Sequence, residues 1–351
     1  MTRPPAGPAA PVCFLGAAYV PTPDPPARRA VLYVVVDTEA EFDWGKPFAR
    51  DLVRVSAMAV QERAQAIFDR YGLRPVYVVD YPVASQPEGF APLLAILRRG
   101  GCEIGAHLHP WTNPPFEENV SLVNSFPGNL APEVEEAKLA VLLGAIRRNF
   151  GVRARFYKSG RFGIGPNTVP MLVRHGIGVD FSILPGADLR ATGGPDFGAF
   201  RPVPYLTAGG RLLSLPMTRG HVGPLAAFAG ALEPVLDRGL ARAMRMRGSL
   251  SRLGLLNRVT LTPEGTSAAR QVALIDTLYR NGYRRFVLSY HSPSLAAGHT
   301  SYSRTEQDVR RLLDGIEAIC RYVLGPLGGE AGDPRTLPPP LPADVPLPAA
   351  V

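Results

Sequence analysis

The chain has 351 residues, of which 46% are hydrophobic, enough to bury a large core in one barrel-sized α/β unit. Its three cysteines, Cys13, Cys102 and Cys320, are odd in number and form no Cys-x-x-Cys pair, which argues against a disulfide framework or a thiolate zinc cluster and fits a reducing compartment. The net charge of +8 comes mainly from scattered arginines without zinc-finger spacing or an RNA-binding signature, so no nucleic acid is expected; an anionic glycan or lipid-linked substrate uses the charge equally well.

Residues 1–29 read as a flexible Pro/Ala-rich leader. Arg3 is the only basic residue before the short apolar stretch near Val12 to Val20, which makes a poor signal peptide. No apolar run is long enough to span a bilayer, and a cytoplasmic protein is expected, with export by another route left open.

Val31 to Val36 is a continuously apolar, β-branched run, the pattern of a strand buried on both faces. Similar runs at Pro75 to Val79, Cys102 to Ala106, Ala154 to Tyr157, Gly178 to Ile183, Leu212 to Leu215 and Arg285 to Leu288 bring the expected strands to seven. Helical patterns lie between most of them, at Met58 to Tyr71, Phe90 to Arg99, Pro132 to Phe150, Asn167 to His175 and Ala268 to Asn281. Thr262-Pro263-Glu264 reads as an N-cap and first turn.

Alternation of this kind predicts a mainly parallel sheet, doubly wound or closed into a barrel. Asp37, Asp80, His107, Lys158, Asp180 and His291 fall at or just past strand C-termini, where both architectures place ligands, so one cleft is expected to collect them. The catalytic unit is expected over residues 30–327. Within it, residues 222–258 form a helical insertion carrying Arg238, Arg242, Arg245, Arg247 and Arg252. A solvated helix face is its simpler role, and a contact with an anionic substrate or a membrane surface the other. Residues 328–351 form a Pro-rich tail.

Chemistry concentrates in clusters. After Val36 come Asp37, Glu39, Glu41 and Asp43, whose mutual repulsion a divalent cation relieves. His107 and His109 are two apart in an extended segment and therefore project to the same side, where both imidazoles can face one metal ion. The segment from Phe156 to Gly165 lacks a Gly-Lys-Ser/Thr ending and is no nucleotide loop; its Lys158 and Arg161 are placed to hold a carboxylate ionised. His291 leaves the last strand as a candidate acid or base, and no Gly-x-Ser-x-Gly elbow supports Ser292 or Ser294 as a nucleophile.

With these four clusters in this order, the sequence resembles the polysaccharide-deacetylase superfamily (NodB-homology, carbohydrate esterase family 4), and within it the WalW-like branch, over most of Val31 to Leu324. The resemblance implies a distorted seven-stranded β/α barrel that removes an acetyl group from an N-acetylated or O-acetylated sugar with a divalent metal, zinc foremost. It implies Asp37 as general base, Glu39, His107 and His109 as metal ligands, and His291, within Leu288-Ser-Tyr-His291, as general acid. The family's usual histidine pair is four positions apart, and here that position is Trp111, which leaves the third ligand open. Lys158-Ser-Gly-Arg161-Phe-Gly stands loosely for the Arg-Pro-Pro-Tyr motif, so either cation braces Asp37.

In such a reaction the metal lowers the pKa of water and polarises the acetyl carbonyl. Trp44, Trp111 and Phe162 offer apolar faces to a sugar ring, core packing being their simpler role. Two alternatives stand beside this reading: a non-catalytic glycan-binding module on a degenerate barrel, and a hydrolase of another carbon–nitrogen bond.

Overall fold

The structure, a computed structural model, describes residues 10–43, 45–229, 232 and 246–337. Part of the leader expected to be flexible is a hairpin: β1 (Val12–Phe14) and β2 (Ala17–Pro21) pair antiparallel. Its residues are not free because Tyr19, 1% exposed, and Phe14 meet Phe200 edge-on at ring separations of 5.2 and 5.1 Å. Aromatic burial of this size outweighs the cost of ordering a short segment.

The expected strands all form. They are β3 (Val31–Thr38), β4 (Val76–Val79), β5 (Glu103–Leu108), β6 (Phe156–Ser159), β7 (Val179–Asp180), β9 (Leu212–Ser214) and β12 (Arg285–His291). They lie parallel in the order β9-β7-β6-β5-β4-β3-β12. At the β9 side β8 (Tyr205–Thr207) runs antiparallel and joins β2.

The sheet curls on itself. Val31, Tyr33 and Val35 of β3 share one buried cluster with Val78 of β4, Phe156 of β6, Val179 of β7, Leu213 of β9 and Val287 of β12. Residues from both edges of the sheet meet there, as the packed interior of a barrel requires. Between β9 and β12 the described residues form no ladder. The seam is bridged instead by the Val287 N–H donating to Thr218 Oγ1 at 2.7 Å and the Ser289 N–H donating to the Leu261 carbonyl at 3.1 Å. The result is a distorted seven-stranded β/α barrel, the architecture expected of the sequence. At the seam β10 (Arg219–Val222) pairs antiparallel with β11 (Asn257–Thr260).

The period of two along a strand now places the functional residues. Gly105 of β5 points inward, where a β-carbon would sit 2.8 Å from Val78 Cγ1 and 2.9 Å from Phe156 Cβ. Counting outward by twos, positions 31, 33 and 35 lead to Asp37, 105 leads to His107, 156 to Lys158 and 287 to His291. The inner face therefore changes from apolar to ionisable at the C-terminal rim.

Helices α1 (Glu62–Arg70), α2 (Tyr81–Ser85), α3 (Pro87–Arg98), α4 (Pro132–Phe150), α5 (Thr168–Arg174), α6 (Met246–Arg252), α7 (Ala268–Arg280) and α8 (Glu306–Leu324) connect the strands. Helix α8 was not among the expected helices, although Thr305 and Asp308 form a reciprocal capping box and Val309, Leu312, Ile316, Ile319 and Val323 make a buried stripe. Thr262 caps no helix, because α7 starts after Ser267. In the tail, β13 (Glu330–Ala331) pairs with β3 and Leu337 joins the interior cluster. Residues 338–351 lie outside the described residues, as do Arg238, Arg242 and Arg245 of the insertion. No helix among the described residues is long and apolar enough to cross a membrane.

Candidate metal centre and active site

His107 and His109 leave the end of β5 on the same side, and each presents Nε2 to Glu39 Oε2 at 3.5 Å. The donor atoms of Glu39, His107 and His109 all lie within 4.8 Å of one another. His107 Nδ1 lies 2.8 Å from the Lys158 carbonyl oxygen. A carbonyl only accepts, so Nδ1 is the donor and Nε2 is left to face Glu39. Burial lowers His109 to about 3, which keeps it a neutral imidazole, and burial likewise raises Glu39.

Glu39 Oε2 is buried and has no hydrogen-bond partner within normal bonding geometry among the described residues. A desolvated carboxylate oxygen left in that state is costly. A divalent cation between one carboxylate and two imidazoles removes the cost, and the donor types suit zinc. The residues thus fit the metal that the sequence pattern implies, with Glu39 completing the group.

Trp111, at the position where a further histidine was considered, is 1% exposed and stacks on the His109 ring at 4.5 Å and 23°. It is a wall of the site. Phe42 and Phe48 close around it at 5.3 and 4.5 Å, the packing that was the simpler of the two roles expected of it.

Beside the trio, Asp37, one residue before the end of β3, lies in register with His291 at the end of β12. Lys158 Nζ donates to Asp37 Oδ2 in a close, buried ion pair. Burial alone would raise Asp37, but Lys158, His107 and His291 outweigh it and hold the carboxyl below its usual value. Lys158 is thus the cation that braces Asp37. Arg161, the other candidate, bonds to Ser125 Oγ and lies over the Phe126 ring at 4.0 Å. The cause is local, since Arg161 and Phe162 both take left-handed backbone, φ 55° and 58°, which turns the chain away after β6.

His291 Nε2 lies 3.7 Å from Asp37 Oδ2, and its Nδ1 is 2.8 Å from Glu264 Oε2. Burial opposes the imidazolium, yet Glu264, Glu39 and Asp37 raise it to about 10. Glu264 also accepts from the His291 N–H at 3.1 Å and from Ser294 Oγ–H at 2.5 Å. Sequence reasoning missed this role by assigning Glu264 to a helical first turn. The only sequence signal was the proline before it, which does not distinguish a helix start from a rigid turn.

Of the remaining candidates, Phe162 is half-buried with its ring 4.8 Å from Lys158 Nζ, inside the site. Trp44 lies outside the described residues. Asp180 does not join the cleft; it lies on the other face of its strand, bonded to Ser182.

No protein-family model and no curated protein matches the chain. Among solved structures it is similar to a Mycobacterium smegmatis protein named as a polysaccharide deacetylase, at 16% identity over 89% of this chain and 88% of that one, with a TM-score of 0.44. It is similar to a family 4 carbohydrate esterase from Streptomyces lividans, solved with acetate, at 11% identity over 90% and 100% of the two chains, TM-score 0.43. A carbohydrate esterase family 4 pseudoenzyme from Bacillus anthracis shares 8% identity over 89% and 66%, TM-score 0.45. What fold and site together define in this chain is a β/α barrel with a carboxylate–dihistidine centre flanked by an aspartate–lysine pair and a glutamate–histidine pair.

Proposed function

We propose that the chain is a metal-dependent hydrolase that removes an acetyl group from an N-acetylated or O-acetylated sugar or polysaccharide, with residues 30–327 as the catalytic unit. The observation that carries this is the shared position of Asp37, next to both the Glu39, His107 and His109 trio and the His291 imidazole. A bound divalent cation, zinc by donor type, supplies Lewis acidity toward a carbonyl oxygen and lowers the pKa of water.

The chain's own residues do the rest. Asp37, kept ionised by Lys158, accepts the proton of the attacking water. His291, kept protonated by Glu264, gives its Nε2 hydrogen to the departing nitrogen or oxygen. Phe162 lends an apolar surface beside Lys158. Three free cysteines support a cytoplasmic setting.

A second reading is favoured by burial: Glu39, His107 and His109 are each 1–2% exposed, which suits a non-catalytic glycan-binding module on the same barrel. Hydrolysis of a different carbon–nitrogen bond uses the same groups. Metal analysis of the purified protein, followed by an acetate-release screen over N- and O-acetylated glycans, separates them. Metal-dependent release establishes the deacetylase, and metal uptake with glycan binding but no release establishes the module.

A further inference from the structure

Asp80 stands at the exit of β4, between the β3 exit that carries Glu39 and the β5 exit that carries His109. It is 0% exposed, and both of its oxygens are committed. Oδ1 accepts from the Val83 N–H at 3.0 Å, capping α2. Oδ2 accepts from the Ala40 N–H at 2.8 Å, one residue past Glu39, and lies 3.5 Å from His109 Nδ1. Held at both oxygens, the carboxylate has a fixed plane. Both ring nitrogens of His109 face a carboxylate at 3.5 Å, Nδ1 toward Asp80 and Nε2 toward Glu39. A carboxylate offers only acceptors, so when a cation beside Glu39 takes the Nε2 lone pair, the ring hydrogen belongs on Nδ1, against Asp80 Oδ2.

We infer that Asp80 is a positioning residue for the metal centre, receiving the Nδ1 hydrogen of His109 and so holding its ring plane when Nε2 is a ligand, and tying down the backbone beside Glu39 through Ala40. This rests on the reading of Glu39, His107 and His109 as a cation site. A plain helix cap needs only Oδ1, and a serine serves that purpose. His107 is oriented by a different group, the Lys158 carbonyl at 2.8 Å, so it is an internal control.

The test uses ¹⁵N-labelled protein at pH 8: wild type, Asp80→Asn and Asp80→Ser, with ring nitrogens read by long-range ¹H–¹⁵N correlation before and after Zn²⁺ is added and His109 assigned through His109→Gln. In Zn²⁺-loaded wild type His109 carries hydrogen on Nδ1. In both variants the metal-free His109 signals shift while the His107 signals stay in place. Zn²⁺ affinity, measured by chelator competition, falls about 10–100-fold in both variants, although serine keeps the cap. A His109 hydrogen on Nε2 in Zn²⁺-loaded wild type overturns the inference, and so does Zn²⁺ affinity within about twofold of wild type in both variants. Should wild type take up no divalent cation, the functional proposal fails, and unmoved His109 signals in the variants overturn the inference about Asp80 as well. Should the variants not fold, the Zn²⁺-loaded wild-type ring decides it.

Discussion

Gly160 lies against His109 so closely that a β-carbon on it would run into the imidazole, with His109 Nε2 only 3.1 Å away. The chain can pass from Lys158 to the turn at Arg161 only because this residue has no side chain. Gly160→Ala must therefore push His109 from its place. It should weaken Zn²⁺ binding by about tenfold or more and cost about 1–3 kcal/mol of stability. Isothermal titration and thermal unfolding read the two effects. Normal Zn²⁺ affinity in this variant would show that His109 does not hold metal.

The trio itself sets a second expectation. His107→Ala, His109→Ala and Glu39→Gln should each lower bound metal, measured by inductively coupled plasma mass spectrometry, because each removes one donor of a small set. In wild type, Zn²⁺ at about 100 times its dissociation constant should add about 2.7 kcal/mol to stability, and a chelator should reverse the gain. If His109→Ala alone keeps full metal content, the ligand set must be rebuilt without it.

For the base, Asp37→Asn should abolish acetate release and leave metal largely bound. It should also destabilise the fold by about 3–5 kcal/mol, since the buried Lys158 ammonium loses its counter-charge. Adding Lys158→Met should restore stability but not activity. Chemical denaturation of the single and double variants tests this coupling. Strictly additive losses would mean that the two groups do not interact.

The pH dependence follows from His291. Its folded value of about 10 is above the ordinary histidine value of about 6.5. The charged ring therefore contributes stability in full below about pH 6.5, and that contribution is lost as pH rises toward 10. Glu264→Gln removes the strongest raising partner, so the His291 titration should move to lower pH and the alkaline fall in stability should shrink. Zn²⁺ should move the same titration down by offsetting the Glu39 charge. NMR titration of the ring is the measurement, and an unmoved His291 in Glu264→Gln would show that Glu264 does not govern it.

On substrates, His291→Ala should spare the metal and cost about 10²–10⁴-fold on an N-acetyl sugar, with a much smaller loss on an activated aryl acetate that needs no protonated leaving group. Rates on the two substrates are compared directly. Equal losses would assign His291 to orientation rather than to proton donation.

The sequence by itself determined the strands and the placement of Asp37, His107, Lys158 and His291 on one rim. Burial on both faces leaves a continuous apolar run, and the period of two then fixes which residue reaches the rim, so both are local properties of the chain. Glu39 and the two histidines come from the ends of β3 and β5, which flank β4 in the sheet. Only the tertiary structure decided that Lys158 and not Arg161 meets Asp37, because the choice turns on left-handed backbone at Arg161 that no residue type there announces. It alone decided that Glu264 serves His291, since this contact joins segments 27 residues apart across an irregular barrel seam. It alone placed Trp111 against His109 in a buried aromatic cluster, because an aromatic residue after a strand reads the same whether it faces solvent or core until its neighbours Phe42 and Phe48 arrive from another loop.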